Sequence, residues 1–301
     1  MSMESSALAT HLEGRYGIEI DRVTEIESVH RVDRRDGSSW VARVFPVERP
    51  FEATQGDAEI LRFLEAQQYP AERCADDLPV SRFEGQSVLV TGFLSGPNGR
   101  PDNSPTTMRA MGDLLGRLQT LAPADGAMAR PAGSWHHLAI AGGGRREDVA
   151  ALAPLIVDAR CAPLRDELSR IDLLENLPHA LLHPDFVTAN VMFTQNGPVL
   201  IDWTGAGRGP RIAALGQLLS MAATDLRLVD EIAAGYRFHV FLEAEELARL
   251  DGAVGAFELI LDCWTAAHYG QLLQHIIGGR AAKREKADAI AVRAREAFAA
   301  T

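Results

Sequence analysis

The run LSGPNGRPDNSP at residues 94–105 is the feature that most limits how this chain can fold. Its prolines lack the backbone N–H that a ladder or helix needs, and its Gly and Asn residues favour turns, so no regular element passes through it. Ahead of it, strand-like runs accompany two helical stretches; behind it, apolar residues recur mostly every three or four positions, the period of a helix. The chain is therefore expected to be α+β, with a sheet-bearing domain over 1–95, a hinge over 96–105 and a helical domain over 106–301. With 301 residues, 47% of them hydrophobic, it can bury a large core.

Residues 6–15 read as a short amphipathic helix, and VTEIESVHRV and SSWVARVF as two strands around the turn RRDGSS. FEATQGDAEILRFLEAQ follows as a helix closed by Pro70. LPVSRFEGQSVLVTGFL gives two more strands with Glu84-Gly85-Gln86 as their turn, so the order is strand, strand, helix, strand, strand. Beyond the hinge, Met111, Leu114, Leu115, Leu118 and Leu121 form one helical stripe. A glycine loop at Gly142–Gly144 precedes a long helical region over 146–171. HALLHPDF and NVMFTQNGPVLIDW read as a short hairpin, turning at Asn196-Gly197, embedded in the helical domain. The rest, from about residue 211, is helical in pattern.

The 41 acidic and 30 basic side chains leave a formal charge of -11, which repels a nucleic-acid backbone and excludes that partner. No apolar stretch approaches the roughly 20 residues that span a bilayer, and the acidic start MSMESSALATHLE is unlike a secretory signal, so no membrane is involved and a cytoplasmic location is expected. Cys74, Cys161 and Cys263 are far apart and odd in number, which argues against a disulfide framework or zinc site.

Phosphoryl transfer needs a group that orients the attacking hydroxyl, and carboxylate or amide oxygens that hold a divalent metal on the phosphates. His183-Pro184-Asp185 followed by Asn190 supplies these types at the spacing HxDxxxxN, and VLIDW ends on a second acid, Asp202. HPDFVTAN and LIDW resemble the two signature motifs of the aminoglycoside phosphotransferase and choline kinase superfamily, and the resemblance covers most of the chain. It implies a protein-kinase-like two-lobe fold, with a small antiparallel-sheet lobe and a larger helical lobe. It also implies transfer of the γ-phosphate of ATP or GTP, with Mg2+, to a hydroxyl of a small molecule. Asp185 would be the catalytic base, Asn190 and Asp202 the magnesium ligands, and His183 a support of the loop. Arg43 in WVARVF falls where the family has a strand cation facing the phosphates, and Glu59 where a helix carboxylate pairs with that cation. Backbone groups around Ser28 would cover the phosphates, and those of Thr91 to Phe93 would meet the purine. Three departures stand out: IESVHRV lacks the glycines frequent in the family's phosphate loop, Arg43 puts a planar fork where Lys would be a point charge, and Ala213 stands near the place of an Asp that braces the catalytic loop.

Glu258, Asp262, Thr265 and Tyr269 share one face of a C-terminal helix, either as a solvated stripe or, with Asp230 and Glu231, as a wall for a cationic acceptor. The net charge favours an aminoglycoside-like or other cationic antibiotic as acceptor. A metabolic kinase acting on homoserine, choline or a sugar derivative and a macrolide phosphotransferase are alternatives of the same chemistry. The glycine-free loop and Ala213 motivate a third, a nucleotide-binding pseudoenzyme. GAGRGP imitates the first two glycines of a dinucleotide fingerprint, but Pro210 takes the place of the third and no βαβ unit surrounds it.

Overall fold

The computed structural model describes residues 3–26, 28–96, 102–122, 129–133, 138 and 144–299. Residues 97–101 of the expected hinge and Gly142 and Gly143 of the glycine loop lie outside these. The chain divides into two compact units: Met1–Gly99 with Val191–Thr204, and Arg100–Asn190 with Gly205–Thr301.

The first unit opens with helix α1 (Met3–Tyr16), then strands β1 (Ile20–Ile26), β2 (Val29–Arg34) and β3 (Ser39–Val44), helix α2 (Phe51–Ala66), and strands β4 (Val80–Phe83) and β5 (Gln86–Gly92). These strands form one antiparallel sheet in the order β1-β2-β3-β5-β4. VTEIESVHRV, expected as one strand, is two: the chain reverses so that Ile26 faces Val29. No Gly, Pro, Asn or Asp stands between Ile26 and Val29 to mark it in the sequence. Glu84 and Gly85 both have positive φ, 48° and 84°, the turn that joins β4 to β5 with the sheet's own twist. Leu8 and Leu12 of α1 pack on Val32, Ala42, Val88 and Val90. The period of two then turns Arg43 and Leu89 to the other side, beside Leu61 of α2.

The hairpin of β7 (Val191–Thr194) and β8 (Gly197–Leu200) belongs to this unit and not to the helical one. The backbone decides this: the Leu200 N–H donates to the Pro70 carbonyl (2.9 Å) and the Glu72 N–H to that of Leu200 (3.0 Å). Trp203, 2% exposed, stands edge-on to Tyr69.

The second unit is built on α3 (Pro105–Thr120), α4 (Arg145–Leu152), α5 (Ala162–Ser169), α6 (Arg211–Ser220), α7 (Arg227–Tyr236), α8 (Ala244–Ala248), α9 (Leu250–His268) and α10 (Leu273–Ala299). Ser104 caps α3 by accepting the Thr107 N–H, with Pro105 in the first turn. A Cβ on Gly112 of α3 would lie 2.2 Å from the Ile232 carbonyl oxygen of α7, and one on Gly235 of α7 2.1 Å from that of Arg109, so the two helices meet backbone to backbone. The region 146–171 is not one helix: α4 ends at Leu152, a 3-10 turn containing Pro154 follows, and α5 starts anew with Pro163 in its first turn. GAGRGP contributes β9 (Gly207–Pro210), antiparallel to β6 (His179–Leu182). Its glycines serve packing, since a Cβ on Gly207 would lie 2.6 Å from the carbonyl oxygens of Arg130 and Pro131. No helix among the described residues is long and apolar enough to cross a membrane.

Candidate active site

In the helical unit the loop after β6 carries the HxDxxxxN residues. His183 is fully buried, and its Nδ1 accepts the Asp185 N–H (3.2 Å), so the imidazole holds the backbone of the loop as expected of a support. The Asn190 amide closes the loop: its Nδ2 donates to the Asp185 carbonyl (2.9 Å) and to Asp185 Oδ2 (2.8 Å). The five-residue spacing thus fixes the acid to the amide across a turn that also bonds Val187 N–H to Asp185 O and Asn190 N–H to Val187 O.

The other carboxylate oxygen is held by a residue that the motif did not point to. Gln217 of α6, 4% exposed, donates Nε2 to Asp185 Oδ1 (3.3 Å), while its Oε1 accepts the Phe186 N–H (3.2 Å). Ala213 had suggested a missing brace; the brace comes instead from the same helix one turn further on, where i+4 returns to the same face. One contact from Gln217 and two from Asn190 leave Asp185, itself 9% exposed, little freedom to rotate.

In the sheet unit Arg43 meets Asp202, not Glu59. Its Nη1 lies 2.8 Å from Asp202 Oδ1, with about a fifth of each side chain exposed. Glu59 is exposed on α2; the helix's inward carboxylate is Asp57, two residues earlier, and that is taken by Arg49 at 2.6 Å in a fully buried pair. The carboxylate that completes the Arg43 site is Glu72, in the segment after α2. Its Oε1 accepts the Asp202 N–H (2.7 Å) and its Oε2 the Thr91 hydroxyl (2.9 Å). Burial pushes the Glu72 carboxyl up from its ordinary value, and Arg43 only partly offsets this. Burial opposes the charge of Arg43, but the carboxylates of Asp202, Glu72 and Asp57 outweigh it and raise its pKa. Asp202 has φ of +64°, a left-handed conformation that Asp tolerates better than most residues and that Glu72 secures through the backbone N–H.

The Phe93 N–H donates to the Ser39 carbonyl (3.0 Å) and the Gly92 N–H to that of Arg73 (2.9 Å), so these donors are spent inside the unit and do not offer themselves to a purine. The Thr91 side chain is likewise given to Glu72, and the Phe93 ring carries the Arg31 guanidinium at 4.3 Å. Ser28 is exposed at the β1–β2 reversal; its neighbour Glu27 lies outside the described residues.

The acidic stripe on α9 is not an open cation-binding wall. Asp262, 3% exposed, is paired with Arg280 (2.8 Å) and Lys283 (2.7 Å) of α10, and Glu258 with Lys283 (3.1 Å). The stripe faces the next helix, whose cations neutralise it. Asp230 and Glu231 pair with Arg293 (2.8 Å) and Arg109 (2.7 Å). Tyr269, at the end of α9, is exposed and stands against Trp264.

Residues 22–252 match the family model described as the phosphotransferase enzyme family. The chain belongs to that family. It is a phosphotransferase. Among solved structures this phosphotransferase is similar to an amicoumacin kinase, hAmiN, in complex with AMP-PNP, Ca2+ and Ami, at 15% identity over 96% of each chain with a TM-score of 0.66. It is also similar to the choline kinase LicA from Streptococcus pneumoniae, at 12% identity over 97% of this chain and 99% of that one, TM-score 0.66. An aminoglycoside phosphotransferase from Alicyclobacillus acidocaldarius matches at 16% identity over 94% of each chain, TM-score 0.63. At such identities these likenesses concern the fold, the two-part sheet-and-helix architecture of the protein-kinase-like small-molecule kinases. No curated protein matches the chain.

Proposed function

We propose that the phosphotransferase moves the γ-phosphate of a purine nucleoside triphosphate, ATP or GTP, to a hydroxyl of a small molecule, with Asp185 as the base. The observation that carries this is the clamping of Asp185: one carboxylate oxygen is held by Asn190 and the other by Gln217, on a loop whose backbone is tied to buried His183. A carboxylate so oriented can accept the hydroxyl proton as the oxygen attacks, without first reorganising. Asn190 and Asp202 are the proposed metal ligands. Among the described residues no cluster of three or more His, Cys, Asp or Glu could hold an ion unaided. That fits Mg2+, which is held by one or two protein oxygens together with substrate phosphates. When bound, the metal neutralises charge on the phosphate oxygens during transfer. Arg43 keeps Asp202 oriented through their ion pair and adds positive charge there.

Gln217 removes one of the two motives for an inactive reading, since the loop is braced despite Ala213. The relatives include a choline kinase, an amicoumacin kinase and an aminoglycoside phosphotransferase. For this chain a cationic acceptor, an antibiotic or a metabolic amino alcohol, is supported by the net charge of -11 and not by the carboxylates of α9.

The test is Asp185→Ala. We expect kcat to fall by about 10²- to 10⁴-fold, the usual weight of a general base, with nucleotide affinity in a direct binding titration changed only a few-fold. Near-normal turnover removes Asp185 from its role.

A further inference from the structure

We propose that a cavity behind the catalytic loop, inside the helical unit, binds a small amphipathic anion at a place distinct from the point of phosphoryl transfer. The cavity measures about 290 Å3 and is walled by apolar groups, among them Leu182, Pro184, Pro210, Ala213, Phe257 and Ile260. It exists because Ala213 and Ala214 at the start of α6 present only methyl groups to it. A dry cavity of about 150 Å3 takes up benzene, so twice that volume has room for a body of two rings. Exposed Arg146, Glu147 and Arg208 also belong to its wall, so it is reached from solvent on that side.

The charges in the wall point to an anion. Arg146 is paired with Glu175, Glu147 accepts the Gly144 N–H (3.1 Å), and Arg145 donates to the Asp172 carbonyl (3.2 Å). Arg208 of β9 has no carboxylate partner among the described residues. Its charge is felt by His179 of β6, whose pKa is lowered by burial and then by Arg208. A neutral imidazole beside an uncompensated guanidinium suits a carboxylate, sulfonate or phosphate on an apolar body.

Asp185 and Asn190 are not in this wall, whereas His183, Pro184 and Gln217 are. A molecule seated here therefore touches His183 and Gln217, two of the three residues that hold Asp185, without reaching its carboxylate, so the cavity is not where an acceptor hydroxyl reacts. The inference stands independently of Asp185 being the base.

Two fluorescent probes of the same shape test it: 1-anilinonaphthalene-8-sulfonate and the uncharged N-phenyl-1-naphthylamine. Both are titrated into the folded full chain with ATP and MgCl2 at saturating concentration, so that the nucleotide site is occupied. We expect saturable binding of one probe molecule per chain. Ala213→Trp should weaken both probes by at least about tenfold, because the indole fills the space the rings need. Arg208→Gln should weaken the sulfonate about threefold to fivefold and leave the neutral probe unchanged, and added salt should do the same to the wild type. Near-UV circular dichroism checks that each variant is folded; if Ala213→Trp is not, Ala213→Val serves as the milder filling. Non-saturable binding, displacement by nucleotide, indifference to both fillings, or an unchanged ratio of the two probes in Arg208→Gln would each overturn the proposal.

Discussion

Gln217 does two things with one amide, and they can be separated. Gln217→Leu removes both contacts and leaves the buried Phe186 N–H without its side-chain acceptor, which costs about 1–3 kcal/mol. Gln217→Glu keeps an acceptor for Phe186 but sets a second carboxylate against Asp185, where like charges in a buried site repel. We expect the leucine variant to lose stability in a thermal or urea titration and the glutamate variant to lose less. Both should fall in kcat with little change in the Michaelis constant for nucleotide; full activity in both would make Gln217 a packing residue only. That His183, Asp185 and Asn190 meet on one loop was legible from their spacing. Gln217 was not, because nothing in α6 distinguishes a bracing glutamine from a surface one until the helix is seen to turn that face inward. Glu72 escaped for a similar reason: it lies in an irregular segment, and its partners Thr91 and Asp202 are 19 and 130 residues away. Glu59 rests on the resemblance alone, and a matching position along a helix does not say which face is turned inward. Asp57, two positions back, is 0% exposed.

Helices α9 and α10 hold each other through charge as well as apolar contact. Arg280 reaches both Asp262 (2.8 Å) and Glu167 of α5 (2.8 Å), and its side chain is only 7% exposed. Removing one partner of such a buried group leaves charge stranded, a loss of about 3–5 kcal/mol. Glu258 and Lys283 are each about a third exposed, and a pair of that kind is worth less than about 1 kcal/mol. Arg280→Met should therefore unfold several degrees earlier than wild type, while Glu258→Gln should be nearly neutral in stability. Because both carboxylates serve the helix pair, Glu258→Gln should also leave the Michaelis constant for the acceptor unchanged. A strong rise in that constant would restore the cation-binding role of the stripe. The sequence shows that four residues share a face; whether the face looks at water or at another helix depends on α10, whose arginine and lysine lie 18 and 21 residues beyond Asp262.

At the scale of the whole molecule the change of period at residues 94–105 marks a change of architecture, but it does not mark where the sheet unit ends. That unit takes back residues 191–204 after the chain has built most of α3 to β6. The returning segment supplies β7 and β8, the backbone bonds of Leu200 to Pro70 and Glu72, and the buried Trp203. It also supplies Asp202, the partner of Arg43. A chain cut after residue 99 lacks all of these. It leaves Tyr69 without its aromatic neighbour, two backbone groups unbonded, and Arg43 and Glu72 facing one another without the carboxylate and N–H between them. Such a fragment should show no cooperative thermal transition and poor dispersion of its amide resonances. Joining residues 191–204 to it through a flexible Gly/Ser linker should restore both, because the missing contacts are local to that segment and a short linker adds little closure entropy. Cooperative unfolding of the 1–99 fragment alone would mean that the five-stranded sheet with α1 and α2 is self-sufficient, and that the hairpin is an accessory to it.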